Sequence, residues 1–403
     1  MVYRVGKIIL KVGWKFMSNK IKIAHVSVVP AFSPGVFKKL EDKAKVSKEN
    51  GLDIDFYLIN PSQDYSSDNM HAIKVFNKNI PTNFLRILAF RVFKIANIEK
   101  SIPLDSYDAI ILRYPLVDGF GTLRFAKKYG YKIFTEHHTD EVAELFSVGR
   151  IVDVFRGYLE KYFAGTFLSY LKGIIGVTDE IRKVELAKTN TSLYSATIAN
   201  GINPQSFSHT GYIPFDGKTL NLIFVASEFS LWHGLEKFLG LLQSYDGDVH
   251  LYLRLIGNLS RTQIDMVNSI KTKNVSIEIA GKAYGDDLDN HMKNAHLAIS
   301  SLALSVKNMK EACTLKSREY IVRGLPFVYA YKDTDLNGDE SFAKRFEEDN
   351  ISLDEIIIFA EYVSLNRDKI EAEMIKYTNI VSWKNKLIQM RNFVEKSLLE
   401  GKH

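Results

Sequence analysis

Short apolar runs rich in β-branched residues alternate with segments of helical periodicity along most of the chain. Two such series follow one another, separated by a stretch of poor periodicity at 205–218 that holds Gly211, Pro214 and Gly217. Strands that alternate with helices favour a parallel sheet, because each crossover helix packs back onto the sheet it came from. The sequence therefore predicts an α/β protein with two Rossmann-like, doubly wound domains that face each other across a cleft.

These series also predict the domain boundaries. Residues 21–205 would form the first domain and residues 218–375 the second. Residues 376–403 would form a C-terminal helix that returns to the first domain, and residues 1–20 a separate leader. The total of 403 residues is enough for each domain to bury its own core.

The leader carries most of the net charge. The formal net charge is +6, and residues 1–20 hold five basic side chains and no acidic one, which leaves +1 for the rest. This balance argues against nucleic-acid binding. Four of the cations, at positions 4, 7, 11 and 15, would share one face of a helix. We expect an interfacial helix on an anionic membrane, although a frayed leader or one packed on protein fits the same pattern.

A second basic segment lies at 83–98, which is apolar, contains Arg86, Arg91 and Lys94 and has no acid. It predicts either a helix that faces a membrane or a lipid phosphate, or a partly buried helix whose cations reach the solvent. The single cysteine, Cys313, excludes an intrachain disulfide and suits a reducing compartment. No apolar run approaches the roughly 18 residues of a membrane-spanning helix. We therefore expect a cytoplasmic protein at the inner face of a membrane.

Two segments at the ends of predicted strands carry candidate chemistry in the first domain. Gly35 lies in the first loop, after a strand at 21–29, where a nucleotide-binding unit places a glycine, although one glycine is not a full phosphate motif. His137 and His138 follow a strand at 131–135. Neighbouring residues of an extended segment point to opposite faces, so at most one histidine should enter the cleft. A purely structural pair is the alternative.

The segment 311–326 is the strongest candidate in the second domain. The sequence predicts a short helix with Thr314 as its N-cap and Gly324 as the residue that ends it. Glu311, Lys316 and Glu319 lie close to the start of that helix. Cations and free amides at a helix start suit phosphates, and carboxylates accept hydrogen bonds from hydroxyls, so the segment suits a sugar nucleotide. A solvated helix with incidental charges is the alternative.

Several short stretches, in order along residues 21–385, resemble the retaining GT-B glycosyltransferases of family 4. The stretches in the first half are Gly35, His138, Thr178-Asp179-Glu180 and Asn200-Gly201-Ile202-Asn203. Those in the second half are Trp232-His233-Gly234, Ile256-Gly257, Glu311 with Glu319 eight positions further on, Lys316, and Gly324-Leu325-Pro326.

The resemblance implies roles for these residues. Glu311 would contact hydroxyls of the donor sugar, Glu319 the ribose, and Lys316 the diphosphate, while His138 would lie near the transferred sugar. The Gly35 loop would approach the diphosphate or the acceptor. The remaining residues expected in the donor site are Cys313, Thr314, Leu315, His233 and Gly257. No metal ion and no other cofactor is expected.

The chain departs from this pattern in the first loop of the second domain. Many members carry an arginine and a lysine there, whereas this chain has Ser227, Glu228 and His233. A neutral histidine is a weaker phosphate partner than a lysine at pH 7. Either Lys316 and helix amides suffice, or the donor or the activity differs.

Together with this resemblance, the sequence predicts a retaining glycosyltransferase that moves a sugar from a nucleotide-sugar donor to a lipid-linked or polysaccharide acceptor in cell-envelope or capsule glycan synthesis. A sugar-nucleotide epimerase on the same fold is one alternative. A degenerate subunit that binds nucleotide sugars without turnover is the other, because the loop cations are missing.

Overall fold

The computed structural model describes residues 21–30, 34–75 and 83–400. The predicted leader at 1–20 and part of the first predicted loop, at 31–33, lie outside the described residues. Within the described part, no helix is both long and apolar enough to cross a bilayer.

The first half of the chain builds an eight-stranded sheet. Its strands are β1 Ile23–Val28, β2 Ile54–Asn60, β3 Tyr65–Ser66, β4 Met70–Lys74, β5 Ala109–Arg113, β6 Ile133–His137, β7 Gly173–Gly176 and β8 Tyr194–Thr197. They lie in the order β3-β4-β2-β1-β5-β6-β7-β8. All neighbours are parallel except β3, which runs antiparallel to β4 at the edge of the sheet.

Within the described residues of the first half, six helices connect the strands of this sheet: α1 Pro34–Glu49, α2 Asn83–Ser101, α3 Thr122–Tyr129, α4 Glu141–Val148, α5 Ile151–Ser169 and α6 Asp179–Leu186. Thr178 caps α6, since its hydroxyl accepts a hydrogen bond from the amide of Ile181 at 3.1 Å. Gly35 lies in the first turn of α1 and not in the loop where the sequence placed it. A carbon at the Cβ position of Gly35 would meet no heavy atom within 4 Å, so packing does not require glycine there.

The second half builds a six-stranded sheet and a two-stranded one. Its strands are β9 Thr219–Glu228, β10 His250–Asn258, β11 Val275–Gly281, β12 Leu297–Ile299, β13 Glu311–Ala312, β14 Phe327–Tyr329, β15 Lys332–Asp333 and β16 Ala343–Arg345. The larger sheet is parallel, in the order β11-β10-β9-β12-β14-β16, and β13 pairs with β15. The helices are α7 Leu235–Gln243, α8 Arg261–Ser269, α9 Asp286–Met292, α10 Leu315–Arg323, α11 Leu353–Leu365, α12 Arg367–Ile380 and α13 Trp383–Glu400.

The last helix packs on the first half of the chain. Four buried side chains of α13 at the helical spacing i, i+4, i+7 and i+11 join the core around β1, β2 and α1; they are Trp383, Leu387, Met390 and Val394. The segment before α13 also pairs with the Asn200–Asn203 turn, through a bridge between Ile202 and Ser382. The end of the described chain therefore completes the core of the beginning.

Candidate functional site

A pocket of about 310 Å³ opens at the carboxyl ends of three strands in the second sheet. Val225 and Ala226 of β9 and Gly257 of β10 line one side, and residues 282–285, just after β11, line another. In open parallel sheets, ligands bind at this edge, where the loops that follow the strands converge. We refer to this site as the second-domain pocket.

One face of α10 forms another wall. Lys316, Glu319 and Arg323 all line the pocket, and their i, i+3 and i+7 spacing puts them on one stripe of the helix. Lys316 Nζ lies 2.9 Å from Glu319 Oε2, and Arg323 Nε donates to Glu319 Oε1 at 3.3 Å. Arg323 also pairs with Asp289. The carboxylate of Glu319 is thus held between two cations that both reach the pocket.

The backbone conformation and the close packing at position 257 require a glycine. Its φ is +138°, a value that residues with a side chain rarely adopt, and a Cβ there would lie 1.7 Å from the carbonyl oxygen of Ala226. The close approach of β9 and β10 at this point shapes the floor of the pocket.

The first loop of this domain contributes little positive charge. Ser227 lines the pocket, but His233 does not belong to its lining. The Nδ1 atom of His233 lies 2.9 Å from the backbone nitrogen of Ser230, and its ring stacks on Trp232. Burial, as the largest cause, lowers the pKa of His233 to about 4, so the ring is neutral at pH 7. Lys282, which the sequence analysis did not single out, lines the pocket instead.

The other predicted residues near α10 have structural partners. The Thr314 hydroxyl accepts a hydrogen bond from the amide of Ser317 at 3.2 Å, and Gly324 has a φ of +73°, so both predicted caps are confirmed. Cys313 is buried, and its sulfur lies 3.3 Å from the side-chain nitrogen of Asn200. Leu315 is exposed to solvent. None of Cys313, Thr314 and Leu315 lines the second-domain pocket in the described structure.

Glu311 lies at the junction of the two domains. Its Oε2 accepts a hydrogen bond from the amide of Glu180 at 2.9 Å, and its Oε1 lies 2.7 Å from Lys332 Nζ. It is not among the residues that line the second-domain pocket. A contact between Glu311 and a donor sugar stays a prediction, and it would require these partners to be exchanged.

A second pocket, of about 510 Å³, opens at the carboxyl ends of β1, β5 and β6 in the first sheet. We call it the arginine pocket, because four arginines contribute to its lining: Arg91, Arg113, Arg150 and Arg156. His138 also lines it. The two pockets therefore occupy the equivalent edge of each sheet.

His138 belongs to a buried group of charges at this pocket. Its Nε2 lies 3.2 Å from Glu136 Oε2, and the same carboxylate lies 3.2 Å from both His25 Nε2 and Lys43 Nζ. Burial, followed by the nearby charge of Lys39, lowers the pKa of His138 to about 3. His138 is thus neutral at pH 7 and adds no fixed positive charge. It remains capable of hydrogen bonding to a substrate.

Lys39 of α1 reaches from the first domain to the domain junction. Its Nζ donates to Asn200 Oδ1 at 2.6 Å, beside the contact that Asn200 makes with Cys313. Burial, and next the charge of Lys43, lower the pKa of Lys39 to about 7. Near neutral pH this lysine is therefore poised between its charged and uncharged forms.

His137 points away from His138, as the extended geometry predicts, and is fully buried. Its Nδ1 lies 3.2 Å from Glu141 and 3.4 Å from Glu185. The three side chains form the one group with metal-ligand geometry in the described part of the chain. However, burial raises the pKa of Glu141 to about 8 and that of Glu185 to about 7, and Lys188 pairs with Glu185. Bound protons and the charge of Lys188 already offset the negative charge of the two carboxylates. The expected absence of a metal stays a prediction.

No known protein-family model matches the chain, and no curated protein matches its sequence. Solved structures do match it over nearly its full length. The lipopolysaccharide outer core galactosyltransferase WaaB in its apo form is 12% identical, with 93% of this chain and 100% of that chain covered and a TM-score of 0.58. A sucrose-phosphate synthase from Thermosynechococcus elongatus is 13% identical, with 94% of this chain and 100% of that chain covered and a TM-score of 0.63.

A third match is Anabaena HepE in complex with UDP and glucose, at 12% identity, with 94% and 100% covered and a TM-score of 0.54. This chain shares the GT-B fold of these structures. The prediction of two doubly wound domains that face each other across a cleft is confirmed. At these identities the likeness establishes the fold. The two pockets open at the carboxyl ends of the strands of the two sheets.

Sequence reasoning missed five cations that line the two pockets: Lys282, Arg323, Arg113, Arg150 and Arg156. One signal was available, because Arg323 lies at i+7 from Lys316 and at i+4 from Glu319 on the same helix. Arg113 ends a predicted strand and could have been found by the same reasoning that selected His138. Lys282 carries no such local signal.

Proposed function

We propose that the protein is a glycosyltransferase that transfers a sugar, with retention of configuration, from a nucleotide-sugar donor to an acceptor held by the first domain. The fold and the second-domain pocket support this proposal. Two structures of the same fold hold donor-like ligands: HepE holds UDP and glucose, and a trehalose-6-phosphate structure from E. coli holds UDP-2-fluoro glucose.

The face of α10 that lines the second-domain pocket carries the proposal. Lys316 and Lys282 supply positive charge for a diphosphate, and Glu319, fixed by Lys316 and Arg323, offers carboxylate oxygens to ribose hydroxyls. These two lysines and Arg323 compensate for the cations that the loop at 227–233 lacks. The side chain of Lys316 is 32% exposed, so it is accessible to a ligand.

In the proposed reaction, the acceptor hydroxyl approaches the sugar on the face from which the diphosphate departs. The bond between the anomeric carbon and the acceptor oxygen forms as the bond to the phosphate oxygen breaks. The hydroxyl proton passes to the departing phosphate. Fixed cations lower the barrier because they stabilise charge that grows on the leaving group. His138, neutral at pH 7, would orient the sugar or the acceptor through a hydrogen bond.

The proposed acceptor is a lipid-linked or polysaccharide glycan of the cell envelope or capsule, and the proposed location is the inner face of a membrane. The basic leader and the exposed apolar side chains on α2 and α5 support this location.

A thermal-shift screen against common nucleotide sugars tests the donor site. A donor present at about 100 times its Kd should stabilise the wild-type protein by about 2.7 kcal/mol. Lys316→Ala should remove most of this shift, whereas Lys293→Ala, an exposed lysine in the same domain, should retain it. No shift with any nucleotide sugar would contradict the proposal.

Product analysis separates the alternatives. Sugar transferred to an added acceptor supports the transferase. An altered sugar without acceptor would indicate an epimerase, and donor binding without turnover across many acceptors would indicate a binding subunit.

A further inference from the structure

The arginine pocket holds more positive charge than its acids compensate. Arg156 is paired with Asp118 and Asp153. By contrast, Arg91, Arg113 and Arg150 have no acidic partner within ion-pair distance in the described residues, and the Nε atom of Arg91 is buried without a hydrogen-bond partner there. Guanidinium groups without acidic partners around one cavity favour the binding of an anionic ligand.

The acids in this lining do not supply that anion. Four acids line the pocket, and Asp153 already pairs with Arg156. Glu144 is exposed and forms no ion pair with any of the three arginines in the described residues. Glu136 is already shared among Lys43, His25 and His138. Burial raises the pKa of Glu141 to about 8, so this carboxyl is mostly protonated at pH 7. Guanidinium groups bind phosphate oxygens in a planar, two-pronged geometry, which makes phosphate the anion that best fits three free arginines.

An apolar surface starts beside the pocket. Arg150 lines the pocket and immediately precedes α5. Four outward-facing side chains of α5 follow at the helical spacing i, i+4, i+7 and i+11, with exposed fractions of 90% for Ile151, 63% for Phe155, 62% for Tyr158 and 79% for Tyr162. We call this set the exposed stripe. A continuous apolar stripe on a helix normally faces a partner or a membrane.

Helix α2 also exposes large apolar side chains beside the arginine pocket. Arg91 lines the pocket, and Leu88, about one turn earlier, is 43% exposed, while Phe93 is 51% exposed. Both helices that contribute arginines to the pocket thus also expose large apolar side chains. Lys94 of α2 is instead buried against Asp118, so it belongs to the core and not to this surface.

We propose that the arginine pocket binds the phosphate group of a membrane-borne acceptor lipid, while the exposed stripe of α5 lies in the surface of the same membrane. This inference rests on the proposed function and narrows its acceptor to a lipid that carries phosphate.

Charge favours a membrane over a second copy of the chain as the occupant. A twofold contact through the exposed stripe would bring Arg150 and Lys161 of two copies close together, because both residues lie on or beside α5. An anionic bilayer instead attracts the same cations and accepts the aromatic side chains at its headgroup level.

The first experiment measures co-sedimentation of the full chain with vesicles of phosphatidylcholine, with and without phosphatidylglycerol. Phe155→Ser combined with Tyr162→Ser should weaken binding to the anionic vesicles by about tenfold or more, because two apolar anchors are lost. Tyr131→Ser, which removes an equally exposed aromatic side chain elsewhere on the first domain, should leave binding unchanged. If the double variant and the wild type bind the anionic vesicles equally, the proposed contact of the exposed stripe with the membrane is wrong.

The second experiment maps arginine modification by phenylglyoxal in the wild-type protein, so it does not depend on the folding of any variant. Vesicles with phosphatidylglycerol should protect Arg113 and Arg150 by about tenfold, and should not protect Arg124, an exposed arginine of α3. Vesicles of phosphatidylcholine alone should protect far less. Equal protection by both vesicles would overturn a preference for the phosphate of an anionic lipid. Equal protection by free inorganic phosphate alone would overturn binding of a lipid phosphate.

Neither experiment contains a nucleotide sugar. A failed donor screen would therefore leave these results intact, and failure here would leave the donor site intact.

Discussion

The side-chain carboxylates of Glu180 and Glu311 each accept hydrogen bonds from backbone amides on the other side of the domain junction. The carboxylate of Glu311 accepts from the amide of Glu180, and the carboxylate of Glu180 accepts from the amides of Lys310 and Glu311, each at 2.9 Å. Glu180 belongs to the Thr178-Asp179-Glu180 stretch of the first domain and Glu311 to the segment that leads into α10. Hydrogen bonds to a charged acceptor are stronger than neutral ones, so this pair holds the two domains in one relative position.

Glu180→Ala should loosen that junction. The variant removes the acceptor of two amides, each worth about 1.5–3 kcal/mol when the acceptor is charged. Hydrogen exchange at Lys310 and Glu311 should accelerate by about tenfold or more, as followed by mass spectrometry of the peptides that contain them. Glu361→Ala, at an exposed glutamate of α11, should leave this exchange unchanged. Unchanged exchange in Glu180→Ala would mean that other contacts close the junction.

Gly257→Ala should destabilise the second domain. The added carbon would overlap the carbonyl oxygen of Ala226 and would force an unfavourable φ, at a cost of about 3 kcal/mol or more. Gly240 offers a matched control, since it lies on the exposed side of α7 and a carbon at its Cβ position would meet no heavy atom within 4 Å. Gly240→Ala should stabilise by about 0.5–1 kcal/mol. Thermal unfolding of both variants measures the difference, and a Gly257→Ala protein as stable as wild type would contradict it.

Lys39 should titrate near neutral pH. Burial and the charge of Lys43 lower its pKa to about 7, whereas the adjacent Lys38, 60% exposed and paired with Glu41, has a raised pKa. Competitive acetylation across a pH series, read by mass spectrometry, should give Lys39 a midpoint near pH 7 and Lys38 a midpoint in the alkaline range. Identical midpoints would show that Lys39 is more solvated than its packing indicates.

Glu141→Gln should flatten the dependence of stability on pH between 6.5 and 8. The raised pKa of Glu141, about 8, means that the folded state holds a proton that the unfolded state releases above about pH 4.5, so stability falls as pH rises through this window. Buried His137, with a pKa of about 4, acts in the opposite direction only below about 6.5. Because glutamine does not titrate, the variant should change the slope of the free energy of unfolding by up to about 1.4 kcal/mol per pH unit.

Thermal unfolding at pH 6.5 and 8 measures that change. Glu144→Gln, at an exposed glutamate on the same helix, should keep the wild-type slope. An unchanged slope in Glu141→Gln would place the raised pKa elsewhere in the buried group.

Local signals predicted the fold well. Thr178 and Thr314 were identified as helix caps because each precedes a helical pattern, and both make the expected hydrogen bond. Alternation of strands and helices gave the two doubly wound domains, since parallel sheets admit few other connections. The edge strand β3 was missed, because its two residues are too few to show a period of two, and the five-residue strand β4 beside it was missed as well.

The site was predicted less completely, because its chemistry depends on distant partners. The position of Glu311 depends on Glu180, 131 residues earlier, and no spacing along the chain reveals that contact. The neutral state of His138 depends on burial and on Lys39, which only the packed structure supplies. Lys316 and Glu319 were found because one helix carries both.

The packing of α13 determines when the first domain can finish folding. Four of its buried side chains, named above, fill a core whose other buried members come from residues before 200. A ribosome therefore releases the entire second domain before the side chains that seal the first become available. During synthesis part of the apolar face of the first sheet therefore stays uncovered until α13 emerges, and a chain truncated before Trp383 should bind chaperones.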